Sequence, residues 1–149
     1  MPRVLGVDYG TKKIGIAVSD EGQKIAFPRT VLPNEWVSVR DFLFQQVAEG
    51  VSEIVLGLPV GLDGKETKLS GEVRRFAQKL GKEFGLPVHF ENEVYSSAAV
   101  KTASGFRLAE AGYSHAKAGE ARPKNIDAAS AAVILQSFLD RRKRPEGNP

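Results

Sequence analysis

Hydrophobic positions come in short strand-like clusters at the start of the chain and at helical spacing from residue 35 onward. Residues 3–8, Arg-Val-Leu-Gly-Val-Asp, form an apolar run closed by an acid, and residues 14–19 alternate branched with small side chains. A glycine-containing turn joins the two, which predicts a β-hairpin. A third strand is expected over residues 24–31. Pro28 cannot donate to a ladder there, so that strand belongs at a sheet edge or carries an irregularity. From Glu35 the period changes: Trp36, Val39, Phe42, Leu43, Gln46 and Val47 predict a helix with Asn34 as its N-cap and Gly50 as its stop. A buried strand follows over residues 53–59, then a turn at residues 60–64. A second helix is expected over residues 67–84, with Leu69, Val73, Phe76, Ala77 and Leu80 on one face, and a strand over residues 86–91.

Helix, strand, helix, strand order implies parallel strands with crossover helices, and the opening hairpin makes the sheet mixed. A third helix is expected from Ser96 or Ser97 to about Gly112, then a polar stretch over residues 113–124. The last helix is expected over residues 125–142; its early alanines, Ala128, Ala129, Ala131 and Ala132, let it lie close to the sheet. The fold class is therefore α/β, a mixed five-stranded sheet flanked by helices. The expected domain is residues 1–144, with residues 145–149 a disordered tail.

At 149 residues and 42% hydrophobic content the chain suits one domain with a sizeable core. No apolar run is long enough to span a bilayer, and the first residues lack the apolar core of a signal peptide, so a cytoplasmic protein with no membrane partner is expected. There is no cysteine, which excludes disulfides, thiolate nucleophiles and cysteine-ligated zinc. Lysine and arginine number 21 against 18 acids, a formal charge of +3. The excess is mild, but it gathers at Lys12-Lys13 and at Arg141-Arg142-Lys143-Arg144. Such clusters fit a polyanion and fit a solvated surface equally.

Acids stand at three places where chemistry is favoured. Asp8 closes the first strand, where an aspartate also serves as a turn residue. Glu91 and Glu93 sit at the end of the last strand, the edge at which open α/β sheets place ligand groups. Being two apart they share a face, and the pattern does not choose between them. Asp127 lies in the first turn of the last helix, which the helix dipole favours for an acid with or without a function. If the acids gather at one sheet edge, their mutual repulsion calls for a cation between them. Oxygen donors suit Mg²⁺ or Mn²⁺, ions that assist phosphodiester cleavage. His89, inside a strand, and His115, in the polar stretch, carry no clear role.

The motifs Gly6-Val7-Asp8-Tyr9-Gly10-Thr11-Lys12 with Ile14-Gly15-Ile16-Ala17, Gly57-Leu58-Pro59 with Asp63-Gly64, Pro87 to Glu93, and Lys124-Asn125-Ile126-Asp127-Ala128-Ala129 resemble those of the YqgF family. These are Holliday junction resolvases and pre-16S rRNA nucleases of the RuvC-like branch of the RNase H superfamily. The likeness runs from about residue 3 to 140. It implies an RNase H-like nuclease domain in which Asp8, Glu93 and Asp127 hold Mg²⁺ or Mn²⁺ and carry catalysis, and it selects Glu93 over Glu91. Thr11, Lys12, Ser97 and Lys124 lie beside these motifs as candidate substrate contacts. The implied substrates are the 5′ end of pre-16S rRNA and branched DNA such as Holliday junctions, and a homodimer would match the symmetry of a junction.

One departure matters. The family usually reads Asp-Glu-Arg and then two threonines where this chain has Asn92-Glu93-Val94 and then Ser96-Ser97. The serines keep the hydroxyls. The arginine is lost at Val94, with Lys101 and Arg107 the candidates to replace its contact. Two other readings stay open at this point: a nucleic-acid or ribosome-binding module without catalysis, and an ATP-binding protein in which residues 8–12 form a phosphate loop.

Overall fold

The computed structural model describes residues 2–94 and 126–143. The expected third helix, the polar stretch before residue 125 and the tail after residue 144 lie outside the described residues, as do Ser97, Lys101, Arg107, His115 and Lys124.

Five strands form one mixed sheet: β1 (Arg3–Tyr9), β2 (Lys13–Ser19), β3 (Ala26–Pro33), β4 (Val51–Val60) and β5 (Val88–Val94), in the order β3-β2-β1-β4-β5. β1, β2 and β3 are antiparallel neighbours, and β1-β4-β5 run parallel. β3 lies at the edge, and its register slips between Thr30 and Pro28, where the proline has no N–H to give. β5 runs three residues past the acid at which the sequence pattern ended it. Parallel pairing of Gly57 to Val60 with Glu91 to Val94 supplies the ladder that extends it.

Helices α1 (Trp36–Ala48) and α2 (Lys68–Phe84) cover one face of the sheet, and α3 (Ile126–Lys143) covers the other. The first core joins Leu5, Val7, Ile14, Ile16, Ile54 and Leu56 to Val39, Leu43, Val73 and Leu80. The second joins Val4, Ala17 and Val55 to Ala131, Leu135 and Leu139. Alternation along each strand divides the residues between these two layers.

Two helix boundaries follow from local chemistry. Thr67 caps α2 in a capping box with Ser70, and Gly85 closes it in the left-handed conformation at φ 66°. α1 starts one residue later than expected: Glu35 is its N-cap, with no side-chain hydrogen bond. Asn34 is drawn away instead. Its amide donates to the Gly10 carbonyl at 2.8 Å and its backbone N–H to that of Lys12 at 2.9 Å. The expected capping residue is therefore a brace for the β1–β2 turn. Among the described residues no helix is long and apolar enough to cross a membrane.

Candidate active site at the carboxyl edge of the sheet

Asp8 is placed by β1. Val4 packs under α3 while Leu5 and Val7 pack on the opposite side, so strand alternation turns positions 6 and 8 toward α3. Asp8 pairs with Gly15 of β2, and the parallel register that sets Val7 opposite Leu56 brings it level with Gly57 of β4. Asp8 thus stands between two glycines, which leave the sheet surface low on either side of its half-buried carboxylate.

Glu91 and Glu93 share the α3 face of β5, as their spacing predicts, but their environments differ. Glu91 is nearly buried: Ser137 Oγ donates to it at 2.8 Å and the Arg141 guanidinium is paired with it. Glu93 stands opposite Pro59, at the very edge, and leans back over Gly57. A β-carbon at Gly57 would lie 3.1 Å from Glu93 Oε1 and 2.5 Å from Ile134 Cδ1. The glycine therefore lets the Glu93 carboxylate and α3 approach the same point of the sheet, the point level with Asp8.

α3 runs antiparallel to β1. Near its C-terminus Arg142 pairs with Glu53, which is level with Val4 at the beginning of β1. Further back, Leu135 and Ala131 lie over Gly6, where an added β-carbon would be 2.7 Å from Leu135 Cβ and 3.0 Å from the Ala131 carbonyl. Position 127 is one turn before Ala131, a rise of about 6 Å. Asp8 is two strand residues beyond Gly6, about 6.6 Å along β1. The first turn of α3 thus reaches the level of Asp8. The side chain of Asp127 lies outside what is described. Among the described residues no three acids or histidines gather as a metal-holding group, so Asp8 and Glu93 form the described part of the expected set.

Thr11 and Lys12 are exposed on the β1–β2 turn immediately beyond Asp8. The turn is tight: any β-carbon at Gly10 would sit 2.5 Å from the Lys13 carbonyl oxygen. In the other basic cluster two arginines are paired with acids of the sheet. Arg141 is bound to Glu91, and Arg142 makes two hydrogen bonds to Glu53 at 2.8 and 3.0 Å while lying 4.5 Å over the Phe138 ring. These two arginines anchor α3 to the sheet. The Arg142 hydrogen bond holds the Glu53 carboxyl below the usual carboxylate range against the opposing effect of burial, with His89 assisting at 3.2 Å. His89 packs on Phe138 with ring centroids 5.1 Å apart, a structural place rather than a ligand position.

Sequence reasoning missed Gly15, Gly57 and Asn34. Each acts through what lies opposite it in the fold; the family motifs included Gly15 and Gly57 without giving them a role, and Asn34 was expected only as a helix cap. Asp8 and Glu93 are carboxylates on the same face of the sheet, both near the level of Gly57, and oxygen donors of this kind suit a hard divalent cation.

Known proteins match this chain along nearly all its length. A relative from Maridesulfovibrio salexigens, provisionally named a pre-16S rRNA nuclease, is 38% identical over 144 residues, covering 93% of this chain and 98% of its own. Another with the same name, from Anaplasma marginale, is 39% identical over 146 residues, covering 95% and 86%. Among solved structures, Thermus thermophilus RuvC in complex with a Holliday junction substrate superposes with a TM-score of 0.55 at 15% identity, over 94% of this chain and 95% of that one. The fowlpox virus resolvase with Holliday junction DNA gives 0.52 at 12% identity, over 95% and 99%. These two likenesses show the RNase H-like fold. The profile of the RuvX family, described as Holliday junction resolvase, matches residues 2–141, and the chain belongs to that family, the YqgF family whose motifs it carries.

Proposed function

We propose that this protein is a divalent-metal-dependent nuclease that hydrolyses phosphodiester bonds with Asp8, Glu93 and Asp127 as its metal-holding carboxylates. Membership of a nuclease family makes it a hydrolase acting on ester bonds. The observation that carries the residue assignment is the convergence of Asp8 and Glu93 on one face of the sheet, at the edge reached by the first turn of α3. The partner is nucleic acid. The names of the relatives favour pre-16S rRNA, of which we propose the 5′ end as the processed part and the cytoplasm as the place, and the family description favours Holliday junctions, on which a homodimer would act.

Asp8, between Gly15 and Gly57 on the face of α3, would be one of the carboxylates that hold the cations. Glu93 and Asp127 would complete the set, with Mg²⁺ or Mn²⁺ as the fitting cations. Bound there, such ions activate water and neutralise charge on the leaving oxygen. The protein's own contribution is positional. The braced β1–β2 turn presents Thr11 and Lys12 to a backbone phosphate, and Ser97 and Lys124 are further candidate contacts. Full-length correspondence to nucleases leaves no support for the ATP-binding reading.

The test compares wild type with Asp8→Asn on labelled single-stranded RNA, single-stranded DNA and a four-way junction, in Mg²⁺, Mn²⁺ or EDTA. Metal-dependent cutting by wild type alone is expected, and the preferred substrate identifies the physiological branch. Metal-dependent cutting retained by a pure, folded Asp8→Asn protein would refute the assignment. Binding by wild type without cutting of any substrate would favour the non-catalytic module, and Val94→Arg would then be the first restoration to try.

A further inference from the structure

We propose that the outer side of α2 is a track for a nucleic-acid backbone. Lys68, Arg75 and Lys82 line up along it, starting at the edge that carries Asp8 and Glu93, and hold phosphates of the substrate away from the bond that is cut. The inference rests on the nuclease reading for the identity of the polyanion, and on the pattern of charge along α2 for its position.

The three cations recur at intervals of seven residues. A straight helix drifts only about 20° per seven-residue step, so they share one stripe, about 21 Å long. All three are exposed, on the side opposite Val73, Phe76 and Leu80, which face the core. Between them on the stripe stand Gly71 and Gln78, and no acid interrupts it. Solvated helix faces commonly interleave acids and bases three or four residues apart. Here the two acids of α2 lie to one flank. Glu72 accepts the Tyr9 hydroxyl at 3.5 Å, and Glu83 follows on the same side of the helix.

The other cations of the helix interior are used by the fold. Arg74 is paired with Glu66 and lies 5.1 Å over the Phe90 ring, and Lys79 lies 4.5 Å over the ring of Trp36. Lys68, Arg75 and Lys82 make no ion pair or ring contact among the described residues. Arg75 is directed back along the helix, with Nη1 3.6 Å from where a β-carbon of Gly71 would stand, one turn from Lys68. Positive charge is thus gathered on successive turns without a counter-charge in the stripe, an arrangement that a polyanion stabilises.

The stripe begins at the edge of the site. Two residues after Lys68, Ser70 donates to the Pro59 carbonyl, and Pro59 pairs with Glu93. The Phe76 ring lies 5.0 Å from that of Tyr9, the residue after Asp8. Because α2 and α3 cover opposite faces, a strand held at the carboxylates crosses the carboxyl edge of the sheet and continues along α2. At one phosphate per 3.4 Å of duplex strand, the stripe is about six base pairs long. Contacts of this kind reach the backbone and not the bases, so they add affinity and register without sequence preference.

The full chain is compared as wild type, Lys68→Gln, Arg75→Gln, Lys82→Gln and the triple variant, with Lys24→Gln as a charge-matched control. Lys24 is exposed between β2 and β3, at the other end of the sheet. Binding of labelled single-stranded RNA, duplex DNA and a four-way junction is titrated in EDTA at several salt concentrations, and cleavage is measured with metal as kcat and KM separately. On the substrate that wild type prefers, each stripe variant is expected to lower the slope of log affinity against log salt by about 1, and the triple variant by about 2–3. KM should rise with kcat little changed, and Lys24→Gln should leave the slope and KM as in wild type. A triple variant with unchanged slope and KM overturns the proposal while wild-type cleavage leaves the nuclease reading standing. An equal loss in Lys24→Gln and in the single stripe variants overturns it too, since net charge alone then accounts for the effect. Wild type that binds through the stripe but cuts nothing overturns the catalytic reading and keeps the track. Wild type that neither binds nor cuts overturns both.

Discussion

Glu93 leans back across the sheet onto Gly57, so close that a β-carbon at residue 57 would lie 3.1 Å from its Oε1. The two residues are on neighbouring strands but are not direct partners, because Glu93 pairs with Pro59. The carboxylate therefore reaches two residues back along β4, toward Asp8, through space that only glycine leaves open. Gly57→Ala should crowd both Glu93 and Ile134, whose Cδ1 would be 2.5 Å from the new methyl. Overpacking of this kind costs about 1–3 kcal/mol, measurable as a lowered urea midpoint. Combining it with Ile134→Val removes the nearer clash and should restore most of the stability, while cleavage stays impaired because Glu93 remains displaced. Full activity in the double variant would mean that Glu93 does not depend on the glycine.

The β1–β2 turn is braced from outside by Asn34, which bonds Gly10 and Lys12. Asn34→Ala keeps the backbone bond and removes the side-chain one, leaving a partly buried carbonyl without its donor at a cost of about 1 kcal/mol. A looser turn presents Thr11 and Lys12 less well to a phosphate, so KM should rise with kcat nearly unchanged. Lys12→Ala is the companion variant. If its ammonium contacts a backbone phosphate, the slope of log affinity against log salt should fall by about 1. An unchanged slope would remove Lys12 from the interface.

Asn34 also illustrates what the chain alone could reveal. Strand and helix periods made the order of elements, the mixed sheet and the burial of α3's alanines readable, because each depends on neighbours in sequence. Asn34 as a cap and residue 91 as the end of the last strand were local readings that long-range partners overrode, and the pairing of Arg141 and Arg142 with acids of the sheet was one that the charge cluster did not announce. Gly10, β4, and the pair Glu53 and Glu91 are those partners, and no local pattern announces them. The family motifs put Asp8 and Glu93 forward as site residues, and the fold sets Glu91 apart by pairing it with Ser137 and Arg141 of α3.

Ser70 links α2 to the same edge. It is fully buried, accepts the Thr67 N–H at 2.7 Å and donates its own hydroxyl to the Pro59 carbonyl, beside the pairing position of Glu93. Ser70→Ala leaves that donor and that acceptor without partners, a loss of about 1–3 kcal/mol. The end of β4 should loosen with it. The expected result is a lower melting temperature together with a fall in kcat. Ser70→Thr, which keeps the hydroxyl, should recover part of both. A fall in stability with cleavage rate unchanged would confine Ser70 to a capping role.

The Glu53–Arg142 pair should leave a signature in acid. Arg142 holds the folded Glu53 carboxyl below its ordinary value of 4.5, so the folded state binds a proton less readily than the unfolded chain does. The stabilisation is then fully present above about pH 4.5, where the unfolded carboxyl is also ionised, and is lost as pH falls through the lower value of the folded protein. Both side chains are partly exposed, with 39% of Arg142 and 21% of Glu53 in contact with solvent, so water and salt screen the pair to about 1 kcal/mol. Urea unfolding at pH 7 should show Glu53→Gln less stable than wild type by that amount, and the two curves should converge near pH 3. Raising the salt concentration at pH 7 should narrow the gap as well. A gap that persists unchanged at pH 3 would show that Glu53 stabilises the fold through packing against Arg142 and His89 rather than through its charge.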